Sequence, residues 1–204
     1  MERIFIFDLD GTLIDSKNGI LISLEHVLLN NAPEYISCLN QSIIGPPIKG
    51  ILAGFIEDDM LISKLSKEFR WHYDSIGFLS TVLYKDVLEG LSQLQNSLLF
   101  ISTNKPKIVT DKILKNLKID KYFIDVVCID SSSFVNKSQI VSSIINNVKI
   151  DEVTVIGDSI DDYLSAKDNN CNFIFCEYGY GAIESVHSHV KKVNSPKELF
   201  QFLT

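Results

Sequence analysis

Residues 4–16 read IFIFDLDGTLIDS, an apolar run that ends in two carboxylates, Asp8 and Asp10, followed by Gly11 and Thr12. If the backbone stays extended through Leu9, residues two apart point to one side, so both carboxylates can face a common site. They lie where that run ends, at the carboxyl end of a strand, and open α/β sheets bind ligands there. A second acidic group follows another apolar run. In VTVIGDSIDDYLSAK, residues 153–167, Asp158 comes after Gly157, and Asp162 would face the same way if a helix begins there. Carboxylates gathered at two strand ends suit a hard cation such as Mg2+, which takes a few carboxylates together with waters and phosphate oxygens. Ser102, Thr103, Asn104 and Lys105 follow a third run, where a helix start would offer backbone N–H groups to an anion, and Lys137 follows a fourth in a loop. Each also has an ordinary structural reading. Asp-x-Asp-Gly alone makes a turn, Asp158, Asp161, Asp162 and Thr103 can cap helices, and a lone loop lysine is usually solvated. A calcium loop counted from Asp8 fails, with Leu13 where glycine is needed and Gly19 where the bidentate glutamate belongs.

The elements that would carry these residues are short apolar runs: RIFIF (3–7), SLLFIS (97–102), DVVCI (125–129), VTVIG (153–157) and NFIFC (172–176). Near-continuous rather than alternating apolar character is how strands buried on both faces of a parallel sheet read. Helix starts lie between them: Asp86 before VLEGLSQL, Asn104-Lys105-Pro106 before KIVTDKILKNL, and the capping triplet Ser195-Pro196-x-Glu198. The pattern predicts a doubly wound α/β fold with a parallel sheet. Between Ser16 and Tyr84 it breaks into helical periodicity, with Ile20, Leu21, Leu24, Val27 and Leu28 on one face and a second set around Leu61, Leu65 and Phe69. Gly45-Pro46-Pro47 marks a turn between the two. The expected organisation is a core of residues 1–15 and 85–204 with a helical insert, 16–84.

Composition narrows the partners. The 204 residues are 46% hydrophobic and 22% charged, and 19 basic against 26 acidic side chains give a net charge of −7. Apart from Lys191-Lys192 there is no basic cluster, which argues against a nucleic acid polymer but leaves a small anionic substrate open. No apolar stretch is long enough for a membrane span, MERIFIFD does not read as a secretory leader, and Cys38, Cys128, Cys171 and Cys176 form no C-x-x-C pair. A cytoplasmic protein with reduced thiols is expected. His187-x-His189 reads as a surface turn, His26 and His72 as structural or exposed, Gly179 and Gly181 as turn glycines, and Phe69, Trp71 and Tyr73 as packing within the insert.

Taken together, Asp8-Leu9-Asp10-Gly11-Thr12, Thr103 in ISTNKP, Lys137, and Gly157-Asp158-Ser159 with Asp162 resemble the four ordered motifs of the haloacid dehalogenase-like superfamily. The resemblance is to its phosphatases with a helical cap inserted after the first motif, and it covers almost the whole chain. Gly45-Pro46-Pro47, TNKP and Gly179-Tyr180-Gly181 are similar to the phosphoglycolate-phosphatase-like branch. Lys137-Ser138 stands where that branch commonly has Lys-Pro, and Tyr84-Lys85-Asp86-Val87 where it commonly has Tyr-Pro-Gly-Val.

The resemblance implies a Rossmann-like core and a Mg2+-dependent hydrolysis of a phosphomonoester through an aspartyl-phosphate. It makes Asp8 the nucleophile and Asp10 the general acid and base. Mg2+ would be held by the Asp8 side chain, the Asp10 backbone carbonyl and Asp158, with Asp162 ligating through water or in support. Thr103 would hydrogen-bond the phosphoryl group, Lys137 would bridge it to Asp8, and Asn104 would assist in binding. Lys49 and Arg70 are candidates for a substrate's second anionic group. The helical insert would act as a cap that closes over the substrate, with hinges near Ser16 and Tyr84. The acid–base carboxylate two residues after the nucleophile separates this pattern from relatives that attack carbon–halogen bonds. A sugar phosphomutase and a silent phosphate-ester binding protein stay open, as do the substrate (phosphoglycolate, pyrophosphate, a nucleotide or a sugar phosphate) and a monomeric or homodimeric state.

Overall fold

Strand β1 (Arg3–Phe7) alternates its side chains between two apolar layers, which is why it tolerates no polar residue in its interior. Ile4 and Ile6 pack with Ile140, Val141, Ile144, Val155 and Ala166 on one face. Phe7 points to the other, where its ring stacks on Phe200 at 6.2 Å between centroids and meets Phe123 edge-on at 6.4 Å. Ile4, Ile6 and Phe7 are fully shielded from solvent, and each contributes about 1.5–3 kcal/mol of transfer free energy.

The computed structural model describes residues 3–146, 152–181 and 190–204. In chain order the elements are β1, β2 (Ile14–Asp15), α1 (Lys17–Asn31), α2 (Ile48–Ala53), α3 (Asp59–Ser75), β3 (Val82–Leu83), α4 (Val87–Gln93), β4 (Ser97–Thr103), α5 (Lys107–Asn116), β5 (Asp125–Cys128), α6 (Lys137–Ile145), β6 (Val153–Gly157), α7 (Ile160–Asp168), β7 (Asn172–Cys176), β8 (Lys191–Val193) and α8 (Pro196–Leu203), with short 3-10 turns between some of them. The six long strands pair in the order β5-β4-β1-β6-β7-β8, and every pairing is parallel. The five expected strands are all present in a doubly wound sheet. The sixth, Lys191–Val193, has two exposed lysines and a single buried valine, so its apolar pattern is too short to read. From β1 the chain later runs outward to β4 and β5 on one side, and β6, β7 and β8 lie on the other. The strand order therefore reverses between β1 and β6, the position at whose carboxyl edge α/β sheets bind ligands.

The chain divides into two compact units, one containing the sheet and the other spanning Ser16–Thr81. The sheet unit resumes at Val82 rather than after Tyr84, because Val82 and Leu83 pair antiparallel with Asp15 and Ile14. In the helical unit the expected face of α1 is partly right: Leu24, Val27 and Leu28 are buried, whereas Ile20 and Leu21 are only half-buried. Phe69 and Tyr73 stack at 5.5 Å between centroids, but Trp71 is 69% exposed, since two residues along a helix turn the side chain to a different face. His72 is buried, hydrogen-bonded to Ser23 at 3.0 Å and stacked on the exposed His26, and burial holds its imidazole below the usual range.

Two local expectations differ, a helix cap at Asp86 and a loop at Lys137. Asp86 adopts a left-handed conformation (φ 72°) and makes no side-chain cap. Lys137 belongs to α6 itself rather than to a loop, because Asn136 caps that helix by accepting from the Gln139 N–H at 3.0 Å. At the position where the related branch commonly carries proline, Ser138 donates to Asp168 at 2.6 Å.

Candidate active site

Asp8 follows β1 directly, and its backbone N–H donates to Ile156 of β6 at 2.8 Å, so the sheet fixes the first carboxylate. The chain then turns tightly: Leu9 O accepts from Leu13 at 3.0 Å and Ile14 at 3.1 Å, with Gly11 at φ 84°. Glycine is needed there on two grounds, since a Cβ would also lie 2.2 Å from Asp158 Oδ2. Asp158, which follows β6, is thereby backed by the turn after β1.

Asp8, Asp158 and Asp162 form a buried cluster in which one oxygen from each lies within 4.8 Å of the others. The spacing of Asp158 and Asp162 predicts a shared helical face, and the structure differs. Asp158 precedes the helix; Ser159 is its cap, and Asp162 sits three residues into α7 in a capping box. Asp162 Oδ2 accepts from the Ser159 N–H at 3.0 Å and from Ser159 Oγ at 2.5 Å, which leaves Oδ1 for Lys137 at 2.5 Å. Lys137 Nζ also donates to Asp8 Oδ1, so one buried ammonium joins two of the three carboxylates.

The charges do not balance. Three carboxylates against one ammonium leave an excess of two negative charges in a place almost closed to water. Burial pushes Asp8 well above the usual carboxylate range; Lys137 opposes this, and Asp162 and Asp158 add to it. Burial and Asp162 raise Asp158 to about 6, despite hydrogen bonds from the backbone of Tyr180 and Gly181. Lys137 is driven the other way: burial disfavours its charge, but Asp162 and Asp8 outweigh burial and hold it above the usual lysine range. An all-oxygen pocket with this excess of charge fits a hard divalent cation.

Thr103 lies two residues beyond Ile101, the register partner of Phe7, and so at the same sheet edge as Asp8. It is buried, and its Oγ1 accepts from the Lys105 N–H at 3.2 Å, a local turn rather than a helix cap. Asn104 Nδ2 donates to Asp161 at 3.3 Å, between the loop after β4 and the first turn of α7. The Asp10 side chain is not one of the clustered three; both its oxygens accept from Lys105 Nζ, at 2.9 and 3.0 Å. Lys49 and Arg70 belong to the helical unit and are exposed on α2 and α3. His187 and His189 lie outside the described residues.

Two contributors carry little sequence signal. Lys105 reads as one residue of a helix-opening loop, and nothing in its surroundings announces Asp10 as its partner. The turn after β7 donates Tyr180 N–H at 2.6 Å and Gly181 N–H at 3.2 Å to Asp158 Oδ2. A Gly-Tyr-Gly turn at a strand end is the one hint, because backbone donors show no residue-type preference.

Comparison with known proteins agrees with this geometry. A phosphoglycolate phosphatase of Colwellia psychrerythraea is 29% identical over 92% of this chain and 90% of its own length. A 5'-nucleotidase of Pseudomonas aeruginosa is 25% identical over 90% of this chain and 86% of its own. The solved structure of a haloacid dehalogenase-like family hydrolase from Streptococcus pneumoniae shares the fold, with a TM-score of 0.88 over 100% of this chain and 99% of that one at 21% identity. The family profile described as haloacid dehalogenase-like hydrolase matches residues 5–176, nearly all of the sheet and the whole helical insert. With its ordered carboxylates, buried lysine and reversed strand order, the chain belongs to the haloacid dehalogenase-like hydrolase family.

Proposed function

We propose that this chain is a Mg2+-dependent phosphatase that hydrolyses a small phosphomonoester through an aspartyl-phosphate on Asp8. The observation that carries the reading is the placement of Asp8, buried and ion-paired with Lys137, beside Asp158 and Asp162. Similarity to phosphoglycolate phosphatases and a 5'-nucleotidase supports a phosphoric monoester as substrate. Free thiols at Cys38, Cys128, Cys171 and Cys176 support a cytoplasmic location, and among the described residues no helix is long and apolar enough to cross a membrane.

In this mechanism an Asp8 oxygen attacks phosphorus as the ester P–O bond breaks, and Asp10 gives its proton to the leaving oxygen. Water then attacks the phosphoryl group, Asp10 takes the water proton, and the bond to Asp8 breaks to release inorganic phosphate. A carboxylate approaches a dianionic phosphate only if the repulsion is offset. Lys137, already paired with Asp8, contributes one such charge and holds the nucleophile in place. Thr103 and Asn104 would donate to the phosphoryl oxygens. Asp8 and Asp158, with the Asp10 carbonyl and support from Asp162, would hold Mg2+, which supplies Lewis-acid neutralisation of the phosphoryl charge. A role for Lys49 and Arg70 at a second anionic group of the substrate completes the proposal.

Phosphate release from a panel of phosphomonoesters, with Mg2+ and with EDTA, tests the reading. Release that requires the cation, is lost in Asp158→Asn and ranks the panel supports it. No release from any ester, or release unaffected by EDTA, contradicts it. Unchanged free phosphate with isomerisation of a hexose phosphate would identify a mutase.

A further inference from the structure

The loop after β4 places a second lysine at the site. Lys105 Nζ donates to both oxygens of Asp10 at 2.9 and 3.0 Å, and its side chain is only 9% exposed. Burying a lysine stem and fixing its four rotors costs more free energy than an exposed ion pair returns. The local backbone is arranged for it: Thr103 Oγ1 accepts the Lys105 N–H at 3.2 Å, and helix α5 begins two residues later. The ammonium is thus held from the β4 edge, while Asp10 comes from the turn after β1, 95 residues away in sequence.

We infer that Lys105 is a positioning residue for the general acid and base, fixing the direction of the Asp10 carboxyl toward the leaving oxygen. The inference rests on the role given to Asp10 above. Asp10 alternates between a protonated and an ionised state, so a useful contact must survive both. An ammonium meets that requirement, because it donates to the carbonyl oxygen of a carboxylic acid as well as to a carboxylate. One of its two bonds can be released when an Asp10 oxygen engages the leaving group, while the other keeps the carboxyl from rotating away. Without the lysine, Asp10 would retain its chemistry and lose its direction.

Leaving-group dependence is the readout that a merely structural role would not move. kcat/KM covers only steps up to departure of the leaving group, so the later attack of water does not enter it. An alkyl phosphate needs its leaving oxygen protonated, whereas p-nitrophenolate leaves without help. Lys105→Met should lower kcat/KM for alkyl phosphomonoesters by about 10–100-fold, the scale of a misplaced catalytic group, and that for p-nitrophenyl phosphate by less than about 3-fold. Lys105→Arg should restore most of the alkyl activity. In an Asp10→Asn background, Lys105→Met should add no further loss. Equal losses on both substrate types would overturn the inference, as would losses that multiply in the double variant, which would mean that Lys105 touches the substrate itself. Failure of the phosphatase reading would look different, since the unaltered chain would then release no phosphate from either substrate.

Discussion

Gly179→Ala isolates the support behind Asp158. Gly179 has no left-handed φ, so alanine adds no backbone strain and acts through its methyl alone. That methyl would lie 2.3 Å from Asp158 Cβ and 2.4 Å from Oδ2. Relief to ordinary contact requires a movement of about 1 Å, given carbon contacts near 3.5 Å. Such a movement stretches the hydrogen bonds from Tyr180 and Gly181, both charge-assisted and worth roughly 1.5–3 kcal/mol each. Disturbing the groups that orient a metal ligand weakens metal binding about 10–100-fold. The expected result is a rise of that size in the Mg2+ concentration for half-maximal phosphate release, mirrored by calorimetric titration of Mg2+. The melting temperature of the metal-free chain should fall by about 2–12 °C, as overpacking costs about 1–3 kcal/mol. Unchanged Mg2+ affinity in a folded Gly179→Ala variant would refute the role assigned to the turn after β7.

Lys137→Met removes the ammonium that joins Asp8 to Asp162; turnover should fall at least about 10³-fold, and metal-free stability by about 3–5 kcal/mol in denaturant titration. The pH dependence has a definite sign. Asp158 is raised from 3.8 to about 6, so the folded state holds the extra proton, and the stability that Asp158 contributes to the metal-free chain falls as pH rises from about 4 to 6. A shift of this size is worth roughly 3 kcal/mol. Urea melts of wild type and Asp158→Asn across that range should show a steeper decline in wild type. Mg2+, competing with that proton, should raise the melting temperature more at pH 7.5 than at pH 5.

The sheet was legible in the sequence because parallel strands covered on both faces are near-continuous apolar runs, and RIFIF, SLLFIS and VTVIG have few other ways to be buried. The carboxylates were legible because polar residues stop those runs at one edge. What escaped depends on contacts rather than composition. The two-residue strands Ile14–Asp15 and Val82–Leu83 have no period to detect. The exposure of Trp71 follows from the rotation of α3, and the meeting of Asp158 and Asp162 from a capping box rather than a shared helical face. Lys105 and the Tyr180 N–H act across long sequence separations, one through a flexible side chain and the other through a backbone atom common to almost every residue.

The central claim is that Asp8 carries the phosphoryl group. Rapid quench of the enzyme with substrate and Mg2+, followed by peptide mass analysis, tests it most directly, and Asp10→Asn should lengthen the life of the intermediate by slowing attack of water. Phosphate on the peptide containing Asp8, absent in Asp8→Asn, is the predicted result. Sustained phosphate release by Asp8→Asn, or phosphate trapped on a different residue, would contradict it.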